Sequence, residues 1–264
     1  FKNKFFGVQF HPEVFHTKNG SLLFKNFLKI ANIKPNWTAS KITEEIICQL
    51  KKKIGKEKVL CALSGGVDSS VTALLLNKAI GSNLTCIFVD NGLLRKNEPV
   101  QITKLFKKHY KIKLISINAK NLFLRRLKGI SDPEKKRKII GKTFIEVFES
   151  QSKKLKGIKY LAQGTLYPDV IESISIHGKT SHTIKSHHNV GGLPKNMNLK
   201  LVEPLRALFK DEVRKIGVNL GLDKTFIQRH PFPGPGLAIR CPGVITNKRL
   251  KLLREVDNIF VGQL

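Results

Sequence analysis

The chain has 264 residues, enough for one large or two ordinary domains, and its 41% hydrophobic content allows a packed core. No apolar run approaches the ~18–20 residues of a membrane span and no signal peptide is visible, which argues against a membrane-embedded role. The net charge of +29, from 48 basic and 19 acidic residues, should attract nucleotides and acidic partners at low salt, but the lysines are spread along the whole chain with only one Trp and three Tyr among them, so the charge reads as compositional drift toward Lys, Asn and Ile and not as a nucleic-acid surface.

In chain order, Gly7–Phe10 is strand-like and is followed by His11-Pro12-Glu13; Leu22, Leu23, Phe24, Phe27 and Leu28 then mark an amphipathic helix. Residues 1–30 read as the tail of one domain, and 31–40, with Pro35, as a linker. A helix is predicted over Ile42–Lys53 and a buried strand over Lys58–Leu63. Residues 64–70 then read Ser-Gly-Gly-Val-Asp-Ser-Ser and lead into an apolar helix through Val71, Leu74, Leu75 and Leu76. Strand, glycine loop and helix start together present backbone N–H groups to an anion. Gly65 and Gly66 let the main chain approach a phosphate closely. Ser69 and Ser70 can add hydroxyl donors and cap the helix start. Asp68 beside a phosphate is repulsive unless a cation lies between them, so it predicts Mg²⁺. No Lys stands where a P-loop would require one.

A second buried strand, Leu84–Val89, ends at Asp90-Asn91-Gly92; Pro99–His109 is helical, Ile112–Ile117 alternates as a third strand, Pro133–Phe148 is a long basic helix, and Lys159–Ala162 is a short strand ending at Gln163-Gly164-Thr165. Strands alternating with helices imply an α/β fold with a doubly wound, mostly parallel sheet. Ligands in such sheets bind outside the carboxyl ends of the strands, so residues 64–70, 90–92 and 163–165 are expected to converge on one crevice. Residues 173–196 are polar, rich in His, Lys, Ser and Gly, and longer than an ordinary connection; they read as an active-site lid carrying Lys185 over a phosphate. Three prolines, at 231, 233 and 235, make a stiff connector and domain boundary; a strand is expected over Ala238–Val244 and a helix over Thr246–Phe260. Cys48, Cys61, Cys86 and Cys241 form no CxxC or metal-ligand spacing, which fits free thiols in a reducing cytoplasm. Phe1 opens mid-pattern and the only Met is Met197, so a piece open at both ends is expected.

The Ser64–Ser70 segment resembles the pyrophosphate loop of the N-type ATP pyrophosphatases, which include asparagine, argininosuccinate and NAD synthetases, tRNA thiolases and GMP synthases. Phe88–Arg95, Lys136–Gly141, Ala162–Asp169, Ile184–Asn189 and Arg229–Arg240 narrow the resemblance to the glutamine-hydrolysing GMP synthase family over nearly the whole chain. Gly7–Glu13 resembles the closing signature of class I glutamine amidotransferase domains. The resemblance implies an amidotransferase end at 1–30, an ATP pyrophosphatase domain at 41–230 and the start of a dimerisation domain at 231–264, in a protein that is a homodimer when full length.

What the resemblance implies about chemistry is ATP-dependent amination of xanthosine monophosphate (XMP) to GMP through an adenylyl-XMP intermediate, with release of AMP and pyrophosphate and with ammonia from glutamine. Ser64, Gly65, Gly66, Val67, Asp68, Ser69 and Ser70 would hold the pyrophosphate, with Mg²⁺ on Asp68. Lys185 would neutralise the departing pyrophosphate, Asp169 and Glu172 would order the lid or complete the metal site, and Arg137 would contact the XMP phosphate. His11 would be a general base oriented by Glu13, but no cysteine nucleophile precedes His11, so this stretch alone should not hydrolyse glutamine. A tRNA-thiolating enzyme with the same loop is the alternative; it should carry a catalytic Cys pair, for which the four cysteines are poorly spaced. A nucleotide-binding remnant without turnover is a third reading.

Overall fold

The computed structural model describes residues 5–14, 16–173, 199–230 and 232–263. The chain divides into two units, Phe1–Thr38 and Ala39–Leu264. The first holds one helix, α1 (Gly20–Ile30). The strand expected at Gly7–Phe10 does not form: a strand needs a neighbour to satisfy its backbone, and the described residues of this unit contain no second extended segment.

The second unit opens with α2 (Ala39–Ile54), β1 (Lys58–Ala62), α3 (Val67–Ile80), β2 (Leu84–Asp90) and α4 (Glu98–Thr103), which widens into a π-helical turn over Lys104–His109. It continues through β3 (Lys113–Asn118), α5 (Lys120–Arg126), α6 (Pro133–Ser152), β4 (Ile158–Ala162), α7 (Tyr167–Ser173), β5 (Lys200–Val202), α8 (Lys210–Asn219), α9 (Lys224–Ile227), α10 (Leu237–Arg240) and α11 (Asn247–Gly262). The five strands form one sheet in the order β3-β2-β1-β4-β5, and every pairing is parallel. This is the doubly wound α/β fold that the alternation of elements predicts.

The apolar strands are short and covered on both faces, as parallel strands must be. Alternate residues of β1 separate onto the two faces. Val59 and Cys61 join a core with Leu75, Phe88 and Val202, and Leu60 joins a second core with Ile87, Phe123 and Leu161. Each fully buried Val, Leu or Phe side chain contributes roughly 1.5–3 kcal/mol. The first core lies under α2, α3 and α8, the second under α5, α6, α10 and α11. Helix α3 is buried through Val71, Ala73, Leu74, Leu75 and Leu76, because it sits between the sheet and both α2 and α8. Helix α6 starts where Asp132 accepts a hydrogen bond from the Lys135 N–H at 2.7 Å and Pro133 takes the first helical position.

The strand expected over Ala238–Val244 is not there. Leu237–Arg240 makes a single helical turn, and the segment beyond it is held by a side chain instead of a ladder. Lys136, 1% exposed, donates from Nζ to the carbonyls of Ala238 (3.3 Å), Cys241 (2.8 Å) and Gly243 (2.6 Å). One buried ammonium thus takes up three carbonyls that a sheet would otherwise have used. Lys136→Met leaves those carbonyls without their donor and should cost about 2–4 kcal/mol, read as a lower midpoint in urea unfolding; an unchanged midpoint would mean that water replaces the ammonium freely.

Candidate active site

Strand order reverses direction at β1, whose chain continuation goes to β2 on one side while β4 lies on the other. In open parallel sheets a crevice opens at such a point, beyond the carboxyl ends of the strands. A cavity of about 330 Å³ lies there, reached by Ala62 at the end of β1 and Ala162 at the end of β4. Ser64, Gly66, Asp68 and Ser69 form one wall, Gln163, Gly164, Asp169 and Glu172 another, and Lys210 closes in from α8. Phe144 and Phe148 of α6, with Leu161, Leu166 and Pro168, make its apolar side.

The loop between β1 and α3 folds on itself. Gly65 has φ +83°, a left-handed conformation, and a Cβ on it would fall 2.2 Å from the Ile102 Cδ1 atom, so only glycine fits. The Ser64 and Ser69 hydroxyls lie 2.9 Å apart, and the Ser64 hydroxyl accepts from the Gly66 N–H at 3.3 Å. Ser70 turns away from the cavity: it is fully buried and donates to the Gly66 carbonyl at 2.8 Å. Across from the loop, a Cβ on Gly164 would lie 3.1–3.3 Å from the backbone of Asp68 and Ser69, so the β4 end and the start of α3 approach at glycine distance.

Asp68 is the electrostatic centre. Its Oδ2 lies 3.5 Å from Lys210 Nζ, while its buried Oδ1 has no hydrogen-bond partner among the described residues. Burial pushes its pKa above the ordinary carboxylate range, and the nearby Asp169 carboxylate adds to this, against the lowering pull of the Lys210 ammonium. Asp169 uses one oxygen to accept the Leu166 N–H at 2.8 Å at the start of α7. Gln163 also has a buried side-chain oxygen without a partner among the described residues. An orphaned carboxylate oxygen beside a second carboxylate suits a hard cation shared with a phosphate, because Mg²⁺ is bound by one or two carboxylates with substrate oxygens completing its shell. Among the described residues no group of three or more His, Cys, Asp or Glu could hold a metal by itself.

Of the residues singled out in the sequence, Ser64, Gly66, Asp68, Ser69, Asp169 and Glu172 line this cavity; Gly65, Val67 and Ser70 are not among its lining residues. Arg137 is not among the lining residues: it pairs with Glu134 at 3.3 Å on the first turns of α6, about 10 Å along the helix from Phe144. The 90–92 turn does not join the cavity, contrary to the expected convergence of three segments. Asp90 is held by Lys120 at 3.1 Å, and Arg254 of α11 donates to the Gly92 and Leu94 carbonyls, so α11 occupies that strand end. His11 and Glu13 lie in the first unit, with Nδ1 of His11 2.8 Å from Glu13 Oε1; backbone hydrogen bonding and His11 hold the Glu13 carboxyl below its usual value. Lys185 falls outside the described residues. Lys210 went unnoticed in the sequence, where one lysine among many at a helix start carries no mark of a contact 142 residues away.

Comparison with known proteins identifies the setting. Residues 57–112 match the model of the tRNA methyl transferase HUP domain, and residues 1–31 match that of the class-I glutamine amidotransferases. The chain is similar in fold to an NMN synthetase from Francisella tularensis (TM-score 0.56, 13% identity, 84% of this chain and 95% of that one). It is also similar to an NH3-dependent NAD synthetase from Campylobacter jejuni (TM-score 0.53, 15% identity, 87% and 98%). In sequence it is 61% identical over its whole length to a GMP synthase [glutamine-hydrolyzing] of Bartonella henselae, covering 51% of that protein. It is 58% identical to that of Roseobacter denitrificans over 98% of the chain and 50% of the relative. Over its whole length the chain is similar to GMP synthases. It spans about half the length of the curated relatives it matches. None of these relatives is named as a tRNA-thiolating enzyme, and that alternative gains no support.

The raised pKa of Asp68 has a consequence for stability. A carboxyl that binds its proton more tightly in the folded state loses stability as pH rises from its unfolded to its folded pKa, and the penalty persists above. Asp68→Asn removes it, so at pH 7 the variant should melt at or above the unsubstituted protein, with the difference vanishing below about pH 4. A lower melting temperature for the variant at pH 7 would show that the Lys210 contact outweighs the burial.

Proposed function

We propose that the second unit is the synthetase of a GMP synthase and that the cavity binds ATP with its β- and γ-phosphates on the Ser64–Ser70 loop. The observation that carries this reading is the Asp68 oxygen, without a partner among the described residues, at a glycine loop and helix start in the cavity that Asp169 and Lys210 also line. Loop amides and Ser69 bind the phosphates, and α3 turns its positive end toward them. Lys210, half exposed and reaching over Asp68, neutralises charge that grows on the leaving pyrophosphate. Asp68, with Asp169 beside it, would hold Mg²⁺, which supplies further neutralisation between the phosphates. The apolar wall of Phe144, Phe148 and Leu161 suits a nucleoside base.

The reaction is attack of the XMP O2 oxygen on the α-phosphate of ATP with departure of pyrophosphate, followed by addition of ammonia at C2 and loss of AMP. The protein's contribution is alignment and charge stabilisation. In the full-length protein we propose that ammonia comes from glutamine through an amidotransferase portion ending near residue 30, with His11 as its base and Glu13 orienting it, and 31–40 as the linker. The synthetase portion is 41–230, and residues 231–264 open the dimerisation domain of a homodimer, its first helices seated on the synthetase sheet. Lys185 and Glu172 serve the lid, and Arg137 serves the XMP phosphate. Four unpaired cysteines agree with a cytoplasmic setting.

The test is formation of AMP and pyrophosphate from Mg-ATP and ammonium by the full-length protein, with XMP or bulk tRNA as acceptor. Turnover that requires XMP and yields GMP is expected; turnover with tRNA alone would overturn the reading. Lys210→Met should lower kcat about 10²-fold, the loss typical of one preorganised charge-stabilising donor, with a smaller change in ATP affinity. Asp68→Asn should abolish pyrophosphate release more completely than it weakens ATP binding, and equal loss of both would indicate a simple binding role.

A further inference from the structure

The loop that lines the cavity contains two adjacent glycines, and a Gly-Gly peptide can flip with little steric resistance. Only one orientation serves an anion. In a trans peptide the carbonyl oxygen and the following N–H point in opposite directions, so the side to which the Gly65 carbonyl turns decides where the Gly66 N–H points. Here the Gly65 carbonyl accepts a hydrogen bond at 3.2 Å from Arg229, which is not a lining residue, while Gly66 lines the cavity. The Gly66 N–H makes only a long 3.3 Å contact to the Ser64 hydroxyl, which an incoming anion can displace.

Arg229 is itself held. Its other terminal nitrogen lies 2.6 Å from Glu98 Oε1, and Glu98, 3% exposed, accepts the Arg95 N–H on its second oxygen at 2.8 Å. The Arg95 side chain donates to Asp257 of α11 at 2.9 Å and to the His230 carbonyl at 3.0 Å; Arg240 meets the remaining Asp257 oxygen at 2.6 Å. Both carboxylates are buried and both are paired on each oxygen, while Arg95 Nη2 has no partner among the described residues; paired buried carboxylates of this kind help fix geometry. The chain of contacts runs from α11 through the β2–α4 loop to the carbonyl behind the glycine loop.

We propose that Arg229 is the positioning residue of the phosphate loop: it locks the Gly65–Gly66 peptide with its N–H toward the cavity, and Glu98, Arg95 and Asp257 transmit that lock from the C-terminal helix. This rests on the phosphate-binding reading above for its purpose, though not for its geometry. It explains why Arg rather than Lys stands at 229. A guanidinium bridges Glu98 and Gly65 with separate nitrogens, whereas an ammonium can satisfy the carboxylate but has no fixed second arm.

The experiment compares the full-length protein with Arg229→Lys, which keeps the charge opposite Glu98, and with Glu98→Gln, which loosens Arg229 without touching the loop. Binding of inorganic pyrophosphate with Mg²⁺ is measured by calorimetry, KM and kcat for ATP by pyrophosphate release, and hydrogen exchange over residues 63–70 by mass spectrometry. Arg229→Lys should weaken pyrophosphate binding and raise KM for ATP about 10-fold with a smaller change in kcat, and should speed exchange in 63–70 while the β-strands keep theirs. Glu98→Gln should shift the same quantities in the same direction by less. Unchanged loop exchange and unchanged pyrophosphate affinity in Arg229→Lys would overturn the proposal. Should the unsubstituted protein bind no pyrophosphate, the functional reading fails, and loop exchange alone decides the positioning role. Should Arg229→Lys not fold, Glu98→Gln decides it by the same readouts.

Discussion

Everything in the second unit is built around β1, a five-residue strand paired in parallel on both edges and covered on both faces. A strand in that position can satisfy its backbone only through β2 and β4, and can bury its side chains only under helices on either side. Those two demands generate the crossovers, and the crossovers generate the reversal of strand order at which the cavity opens. The glycine loop leaves β1 at that point and nowhere else. A binding site made of backbone amides therefore rests on a strand held on both edges and buried through Val59, Leu60 and Cys61.

The polar site depends on that burial in a second way. Asp68 is costly to ionise because it is withdrawn from water, and Lys210 offsets only part of that cost. A site so arranged favours a ligand that brings positive charge to the carboxylate and negative charge to the lysine together, as a cation-bound phosphate does. Stability given up at Asp68 is matched by interactions elsewhere: Lys136 gathers three carbonyls of the C-terminal segment, and Asp257 gathers two guanidinium groups. These buried contacts hold the C-terminal segment from Ala238 to Asp257, where a strand over Ala238–Val244 is expected from the sequence.

Periodicity was a good guide where an element's surroundings are set by its own neighbours in sequence. The strands β1 to β4 and the helices α2, α3, α6 and α11 fall within a few residues of the segments their apolar patterns predict, and the glycine loop falls between β1 and α3. Pattern reading failed at Gly7–Phe10 and at Ala238–Val244, both extended-looking stretches that have no strand neighbour among the described residues. It also failed at 90–92, where the end of β2 looked as open as those of β1 and β4 until α11 is seen to cover it with Arg254.

The sequence by itself therefore determined the α/β alternation, the loop chemistry of Ser64 to Ser70 and the anomalous carboxylate within it, because each is a property of consecutive residues. Only the tertiary structure decided that Lys210 reaches Asp68, that Lys136 is a buried clamp and Arg137 a neighbour of Glu134, and that Arg229 stands behind Gly65. These contacts join residues far apart in the chain. Their partners are selected by how the crossovers stack around β1, and a lysine or arginine bears no local sign of which carbonyl or carboxylate the fold will bring to it.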